Sequence, residues 1–503
     1  MVICKKKKMI RILKVIGLVL IAILTLIVLL SVISIVLATN QDALTKQVNN
    51  KKLAKVMLTN VNVLKMEYSS DLAASKPKPD SGMTYLTSDF LGILENQTIY
   101  ISDGVITGIT PDSLTEYDGY EVMDMEGLYA MPGLIEMHTH ILDQADLTQY
   151  LSYGVTTVRN MMGFPMHLRF KEQLQKENLL GSRMITASPT LNAGNNKGPF
   201  HKKVGNVDET KQMVGNYVAK GYDFIKVYNG LSEEQFQAIM ETADSMEVAV
   251  AGHPVNSVPR FEFLNSGVKS FEHIEEVFNT YMKRKINDSL AVQIANEFKE
   301  ANMPICITLS AYHQLQRTAT EGEAFLDSIP EKNIAPMSRF IGKRQTSGYL
   351  DLETKYVDGI SKKDAYLSKL TKIFYNQGVV LLLGTDSGPN LTIAGSTLHE
   401  EIALWKEAGV PNHSIIKAGT INAAEVLGMS DTIGRVKEGF TADILFLESN
   451  PLENIETLRN PKGMIFRNKF YAEEDIVTMR ESAQKKSGWF VTMGNFLEHL
   501  ISK

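Results

Sequence analysis

Cysteine is nearly missing from this sequence: Cys4 and Cys306 are the only two. That excludes a disulfide framework, a cysteine-rich zinc site and an iron–sulfur cluster. Internal repeats and low-complexity stalks are also absent, which removes the usual build of an adhesive or purely structural protein. Positive charge is scarce where nucleic-acid binding would need it. The net charge is −5 over 503 residues, and residues 1–50 alone carry +6, leaving −11 for the remainder. A body of that sign is no nucleic-acid-binding surface. Apolar residues make up 44% and charged residues 22%, so neither wholesale disorder nor a polytopic membrane protein fits.

Charge is absent altogether from Val15 to Leu37. As a helix this run spans about 34 Å, enough for a hydrocarbon core of about 30 Å. A cleaved signal peptide is the alternative, since Ala38 and the small residues before it suit a peptidase, but signal-peptide apolar regions run only about 7–15 residues. The basic cluster Lys5, Lys6, Lys7, Lys8, Arg11 and Lys14 belongs in the cytoplasm and places everything after Asn40 outside. The expectation is a single-pass membrane protein with a basic tip and signal-anchor helix over 1–39, a linker over 40–52 and an extracytoplasmic body. Secretion after cleavage is the alternative.

Residues 53–131 read as β-hairpin material, with Val56–Leu64, Gln97–Ile101 and Val105–Ile109 as strands and Asp103-Gly104 as a tight turn. Residues 76–80 sit in a polar insertion. After Pro132-Gly133, short apolar runs alternate with helical stretches. The strand candidates are Gly133–His140, Val155–Met161, Arg183–Ser188, Phe224–Tyr228, Val248–Pro254, Ser270–Ile274, Pro304–Leu309 and Val379–Ser387. Ser232 before Glu233 and Glu234 marks a helix start. This pattern predicts an α/β fold, a (β/α)8 TIM-like barrel over 132–430, whose chemistry belongs at the C-terminal strand ends. An open doubly wound sheet is the rival. β-like segments return over 431–475, so the two flanks are expected to form one small β-sandwich. Residues 476–503 read as an amphipathic helix with Phe490, Met493, Phe496, Leu497 and Leu500 on one side, packing on the body or touching the membrane surface.

Polar residues at the strand ends carry the chemistry. His138 and His140 stand two apart on the first strand and can meet one ion from the same face. Lys226, flanked by Phe224 and Tyr228, is costly to bury unless paired. It is open to three readings: a salt bridge to Glu136, a neutral base, or a carbamate formed with CO2 whose oxygens bridge two cations. His253 and His273 each end an apolar run, as core histidines or as ligands. Asp386 closes the last strand, as a helix N-cap or as a group held by cations.

The combined stretches MPGLIEMHTH at 131–140, YGVTTVRNM at 153–161, FIKVY at 224–228, AGHP at 251–254, FEHI at 271–274 and LLGTDSG at 382–388 resemble the amidohydrolase superfamily, in its imidazolonepropionase-like and prolidase-like branch. The run 433–455 also fits, and the resemblance spans about 53–475. It implies that His138, His140 and Asp386 hold one divalent metal, His253 and His273 a second, and carbamylated Lys226 bridges them. Zinc suits such ligands, with manganese or iron as alternatives. Three departures stand out: Glu136 where the family usually has Asp, Gly-His-Pro around His253, and the insertion around 65–95.

The implied activity is hydrolysis of a C–N bond in a small-molecule or dipeptide-like substrate. A metal-activated hydroxide attacks the carbonyl carbon, and Asp386 moves the proton to the leaving nitrogen. Tyr228 and His201 are candidate substrate-binding residues, with a structural tyrosine and a surface histidine as the alternatives. Lactone or cyclic-imide hydrolysis, and an inactive membrane-tethered binding protein, are the rival functions.

Overall fold

The computed structural model describes residues 2–39, 48, 52–68, 89–111, 119–194, 200–486 and 488–501. Residues 76–80, and all of 40–52 except Val48 and Lys52, lie outside the described residues. The body is mixed α/β. Parallel strands form where the apolar runs place them: Leu134–Thr139, Val155–Asn160, Arg183–Thr186, Phe224–Val227, Ala249–Gly252, Phe271–Glu272, Ile305–Cys306 and Leu381–Leu382. All six residues of Leu134–Thr139 and of Val155–Asn160 are buried, the signature of strands covered on both faces.

The first three of these strands make one sheet. The other five make a second sheet, extended by the short strands Leu191–Asn192 and Lys202–Lys203, which the sequence pattern did not signal. Isolated parallel bridges link the two sheets at both ends, Ala187 to Phe224 and Thr139 to Ser387. Backbone hydrogen bonds run across the second junction from Met137 N to Leu383 O (2.9 Å) and from Asp386 N to His138 O (2.8 Å). Helices follow the strands with the expected chemistry. Ser232 Oγ accepts from Gln235 N at 3.2 Å, so Glu233–Ser245 starts where Ser232 predicts.

The flanking segments share one eight-stranded sheet. Lys55–Tyr68, Asp89–Ser102, Val105–Pro111, Glu121–Asp124 and Tyr129–Pro132 come from the N-terminal side, and Ile444–Leu447, Gly463–Phe466 and Lys469–Ala472 from the C-terminal side. The seam is the antiparallel pairing of Ile444 through Leu447 with Pro132 through Tyr129. Asp103 and Gly104 form the anticipated tight turn, both at positive φ (49° and 79°). This sheet has its own apolar core, including Val56, Leu58, Ile99, Ile444 and Phe446.

The C-terminal tail differs from expectation. It forms two helices, Glu473–Lys486 and Trp489–Ile501, with Gly488 between them, a residue with poor helix propensity. Phe490 and Met493, on the stripe expected to pack on the body or touch the membrane surface, are exposed, whereas Thr492, Gly494 and Asn495 are buried. The reason is the partners: Gly494 receives the N-terminal helix Val2–Thr39, the one described helix long and apolar enough to cross a membrane, while Thr492 donates to Asp143 and Asn495 to Gln144 of the body.

Candidate metal centre

One cavity of about 590 Å3 opens at the C-terminal ends of the parallel strands. His138, His140, Lys226, His253, His273 and Asp386 all line it, and so do Tyr228 and His201. Residues more than 240 positions apart in the chain thus meet in one place, because successive parallel strands end at the same level. The imidazoles form a continuous row, with ring centroids 5.4 Å apart for His138–His140, 4.4 Å for His138–His273 and 4.6 Å for His253–His273. Asp386 Oδ1 lies 2.7 Å from His140 Nε2 and 3.4 Å from His138 Nε2. Single ligand atoms of His138, His273 and Asp386 all lie within 4.8 Å of one another.

The electrostatics favour ligand chemistry. Burial pushes the His138 and His253 imidazoles well below the ordinary histidine range, and His273 down to about 4. These rings are neutral at physiological pH, the form that donates a lone pair to a metal. Burial raises the Asp386 carboxyl, but its hydrogen bond to His140 and the surrounding positive groups outweigh this and hold it at about 2. Burial lowers the Lys226 ammonium to about 8.

Three buried nitrogens in this row have no hydrogen bond among the described residues, His140 Nδ1, Lys226 Nζ and His253 Nδ1, although Glu276 Oε1 lies 3.5 Å from the last. The buried polar atoms of a folded protein are almost always paired. The Lys226–Glu136 salt bridge considered from sequence does not form. Glu136 instead accepts from His138 N (3.0 Å), Thr385 N (2.9 Å) and Thr385 Oγ1 (3.0 Å), and its burial pushes the carboxyl up to about 8. Nor is Asp386 a helix cap, because the following helix, Ser396–Glu407, begins ten residues later.

Glu272 and Thr308 were missed. Glu272 Oε2 accepts from His138 Nδ1 at 2.7 Å, and Thr308 Oγ1 lies 2.8 Å from His273 Nδ1. Alternation along a strand assigns Glu272 and His273 to opposite faces. His273 breaks it with φ of 73°, so both neighbours serve the same interior. Thr308 and Asp386 repeat the device at φ of 58° and 60°. Left-handed backbone on non-glycine residues costs of order 1–3 kcal/mol each and gathers at functional sites. Arg159, inside the quoted YGVTTVRNM stretch, is the third omission. It donates to Met137 O, Ser270 Oγ and Glu272 Oε1 at 2.6, 2.7 and 2.8 Å.

A protein-family model described as the amidohydrolase family matches residues 129–467. The chain belongs to the amidohydrolase family. The expectation of a hydrolase of this family is met, and the match covers the parallel strands and the seam strands together. An imidazolonepropionase of Thermoplasma volcanium is 22% identical over 381 residues, 71% of this chain and 85% of the relative. An ochratoxinase of Aspergillus niger is 36% identical over 88 residues, 17% of this chain and only 18% of the relative's length. Among solved structures, a bottromycin amidohydrolase superposes with a TM-score of 0.69 at 20% identity, covering 90% of this chain and 94% of the other. A Xaa-Pro dipeptidase with bound methionine gives 0.60 at 18%, covering 83% and 100%. Both likenesses extend the shared amidohydrolase fold over most of the body.

Proposed function

We propose that this amidohydrolase-family protein is a membrane-anchored, metal-dependent hydrolase of amide or peptide-like C–N bonds, with its body on the extracytoplasmic side. The observation that carries the reading is the set of four imidazoles and Lys226 lining one cavity beside the Asp386 carboxylate, with His140 Nδ1 and Lys226 Nζ buried and unpaired among the described residues. Such a donor set fits divalent metal. The eight parallel strands are read as a closed (β/α)8 barrel, supported by the bridges at both sheet junctions, and the flanking eight-stranded sheet as its β-sandwich. The uncharged run of the N-terminal helix and the basic cluster before it support the anchor and its orientation.

In this reading His138, His140, Asp386, His253 and His273 would hold the divalent metal, one ion or two. Lys226 would join them as a ligand once its unprotonated Nζ has added to CO2 and released a proton to give a carbamate. Zinc suits the imidazole and carboxylate donors. Divalent metal held there would supply a bound water with its pKa lowered towards about 7 and a positive charge for the carbonyl oxygen. Glu272 fixes the orientation of the His138 ring through Nδ1, leaving Nε2 towards the cavity. Asp386, ionised and in contact with His140, takes the proton of the attacking water and returns it to the leaving nitrogen. Tyr228 would donate to the substrate carbonyl, a role supported by its ring lying 4.0 Å from His253 and 4.4 Å from His201. Burial pushes its hydroxyl above the ordinary tyrosine range, so it remains a donor, and burial lowers His201 to about 4, making it neutral.

The test is metal analysis of the purified full chain, together with a screen of X-Pro dipeptides and C-terminal amides beside lactones. Bound divalent metal with amide turnover is expected. Turnover of lactones alone would move the reaction to C–O bonds, and a folded protein that takes up no divalent metal when metal is supplied would overturn the proposal.

A further inference from the structure

The two segments outside the family match, at opposite ends of the chain, meet beside the mouth of the cavity. The N-terminal helix is exposed along nearly all of its described apolar length, and only around Ser31, Ser34, Ile35 and Ala38 is it covered. What covers it is the C-terminal helix Trp489–Ile501. A Cβ built on Gly494 would lie 2.1 Å from Ser34 O and 2.8 Å from Ala38 Cβ, so the two backbones touch. Arg169 secures the junction. It donates to Ala38 O at 3.1 Å, to Asn495 Oδ1 at 2.7 Å and to Glu498 Oε2 at 2.9 Å. Thr492 Oγ1 donates to Asp143 Oδ2 at 2.9 Å.

The length of the helix sets the depth of this junction. A bilayer core takes about twenty apolar residues, and counting them from Val15 reaches Ser34, which is buried against Gly494. The C-terminal helix therefore lies at the outer boundary of the hydrocarbon, where tryptophan is favoured. Its outward face carries Trp489, Phe490 and Met493, all more than a third exposed, and Trp489 meets the exposed Phe340 edge-on at 6.1 Å.

The same helix supports the rim of the cavity. Phe340 and Arg344 line that cavity, and so does Phe200, whose ring lies 5.9 Å from Phe496. We propose that Trp489, Phe490, Met493 and Phe340 form a platform seated in the interfacial layer of the bilayer. The cavity mouth then opens at the membrane surface and takes an amphiphilic amide of the N-acyl amino acid type, its chain entering past Phe340 and Phe200 and its carboxylate meeting Arg344. The substrate class rests on the amide-hydrolase reading above. The seat on the bilayer does not.

The experiment uses the full chain in phosphatidylcholine vesicles with brominated acyl chains. Only two tryptophans exist, and Trp405 is fully buried. Brominated lipid is expected to quench Trp489 emission, seen as quenching in the wild type that is absent from Trp489→Phe, while aqueous acrylamide quenches little. Free access of acrylamide to Trp489 without quenching by lipid overturns the proposal. Shielding from both quenchers also overturns it, by putting protein on this face. In the same vesicles N-dodecanoyl-alanine should be hydrolysed about tenfold more efficiently than N-acetyl-alanine. The double change Phe490→Ser, Met493→Ser should erase that preference and spare the short substrate. Equal rates on both chains in the wild type overturn the substrate class. Quenching with neither N-acyl-alanine hydrolysed supports the bilayer seat and overturns the substrate class, whereas the amide-hydrolase reading falls only if the X-Pro dipeptides and C-terminal amides are not turned over either.

Discussion

Two sets of buried polar groups lie side by side in this molecule and are solved in opposite ways. Behind the cavity wall, Arg159, Ser270 and Glu272 satisfy one another, with an Arg159–Glu272 ion pair at 2.8 Å, and Glu136 is met by His138 N and by Thr385. On the wall itself, His140 Nδ1, Lys226 Nζ and His253 Nδ1 have no hydrogen bond among the described residues. The nitrogens and oxygens of both sets are shielded from solvent, so desolvation does not distinguish them. The difference is what completes them: the inner set is architecture, and in the proposed reading the outer set is completed by divalent metal. A buried ion pair gives little net stability over an apolar isostere but is expensive to break, which suits a support that must hold its geometry.

The sharpest break in this comparison is Asp386→Asn. Loss of the proton carrier should lower kcat by about 10²–10⁴ while metal content stays near wild type, read by turnover together with elemental analysis. Glu272→Ala attacks the inner set instead. It strands Arg159 and should cost about 3–5 kcal/mol of stability, read by denaturant or thermal unfolding, with turnover falling as His138 loses its orienting partner. Lys226→Ala should leave the fold intact, since Nζ has no hydrogen bond to lose, yet cut bound metal and recover part of it with added short carboxylic acids. Unchanged metal stoichiometry there would mean a single-ion site.

The smallest effect lies away from both sets and calibrates them. His399 is buried, with Nε2 3.1 Å from Tyr153 O, and burial lowers it from 6.5 to about 3. The unfolded chain therefore binds a proton between these values and the folded chain does not. Stability is full above pH 6.5 and declines as pH falls towards 3. At pH 5 the loss is about 2 kcal/mol, visible as a drop in Tm that His399→Gln should remove.

Much of this was legible because parallel strands are buried on both faces and read as short apolar runs, so all eight were placed from sequence. Polar residues at their ends then stood out, and His138, His140, Lys226, His253, His273 and Asp386 do share a cavity. What escaped was set by backbone, not by composition. Glu272 was hidden because alternation fails where His273 turns to positive φ, and Thr308 because nothing marks a threonine with φ of 58°. The C-terminal helix was read by its apolar stripe, but its contact was decided by Gly494, whose missing side chain leaves no hydrophobic signal.

The inner set has one further consequence. Arg159, Ser270, Glu272 and Glu136 close their hydrogen bonds with atoms of the chain alone, so the scaffold is finished before any ion arrives. On the proposed metal-dependent reading, folding and loading are thus separate events. A polypeptide matured in a metal-poor compartment would keep its shape and wait, acquiring activity later from whatever divalent supply its surroundings provide.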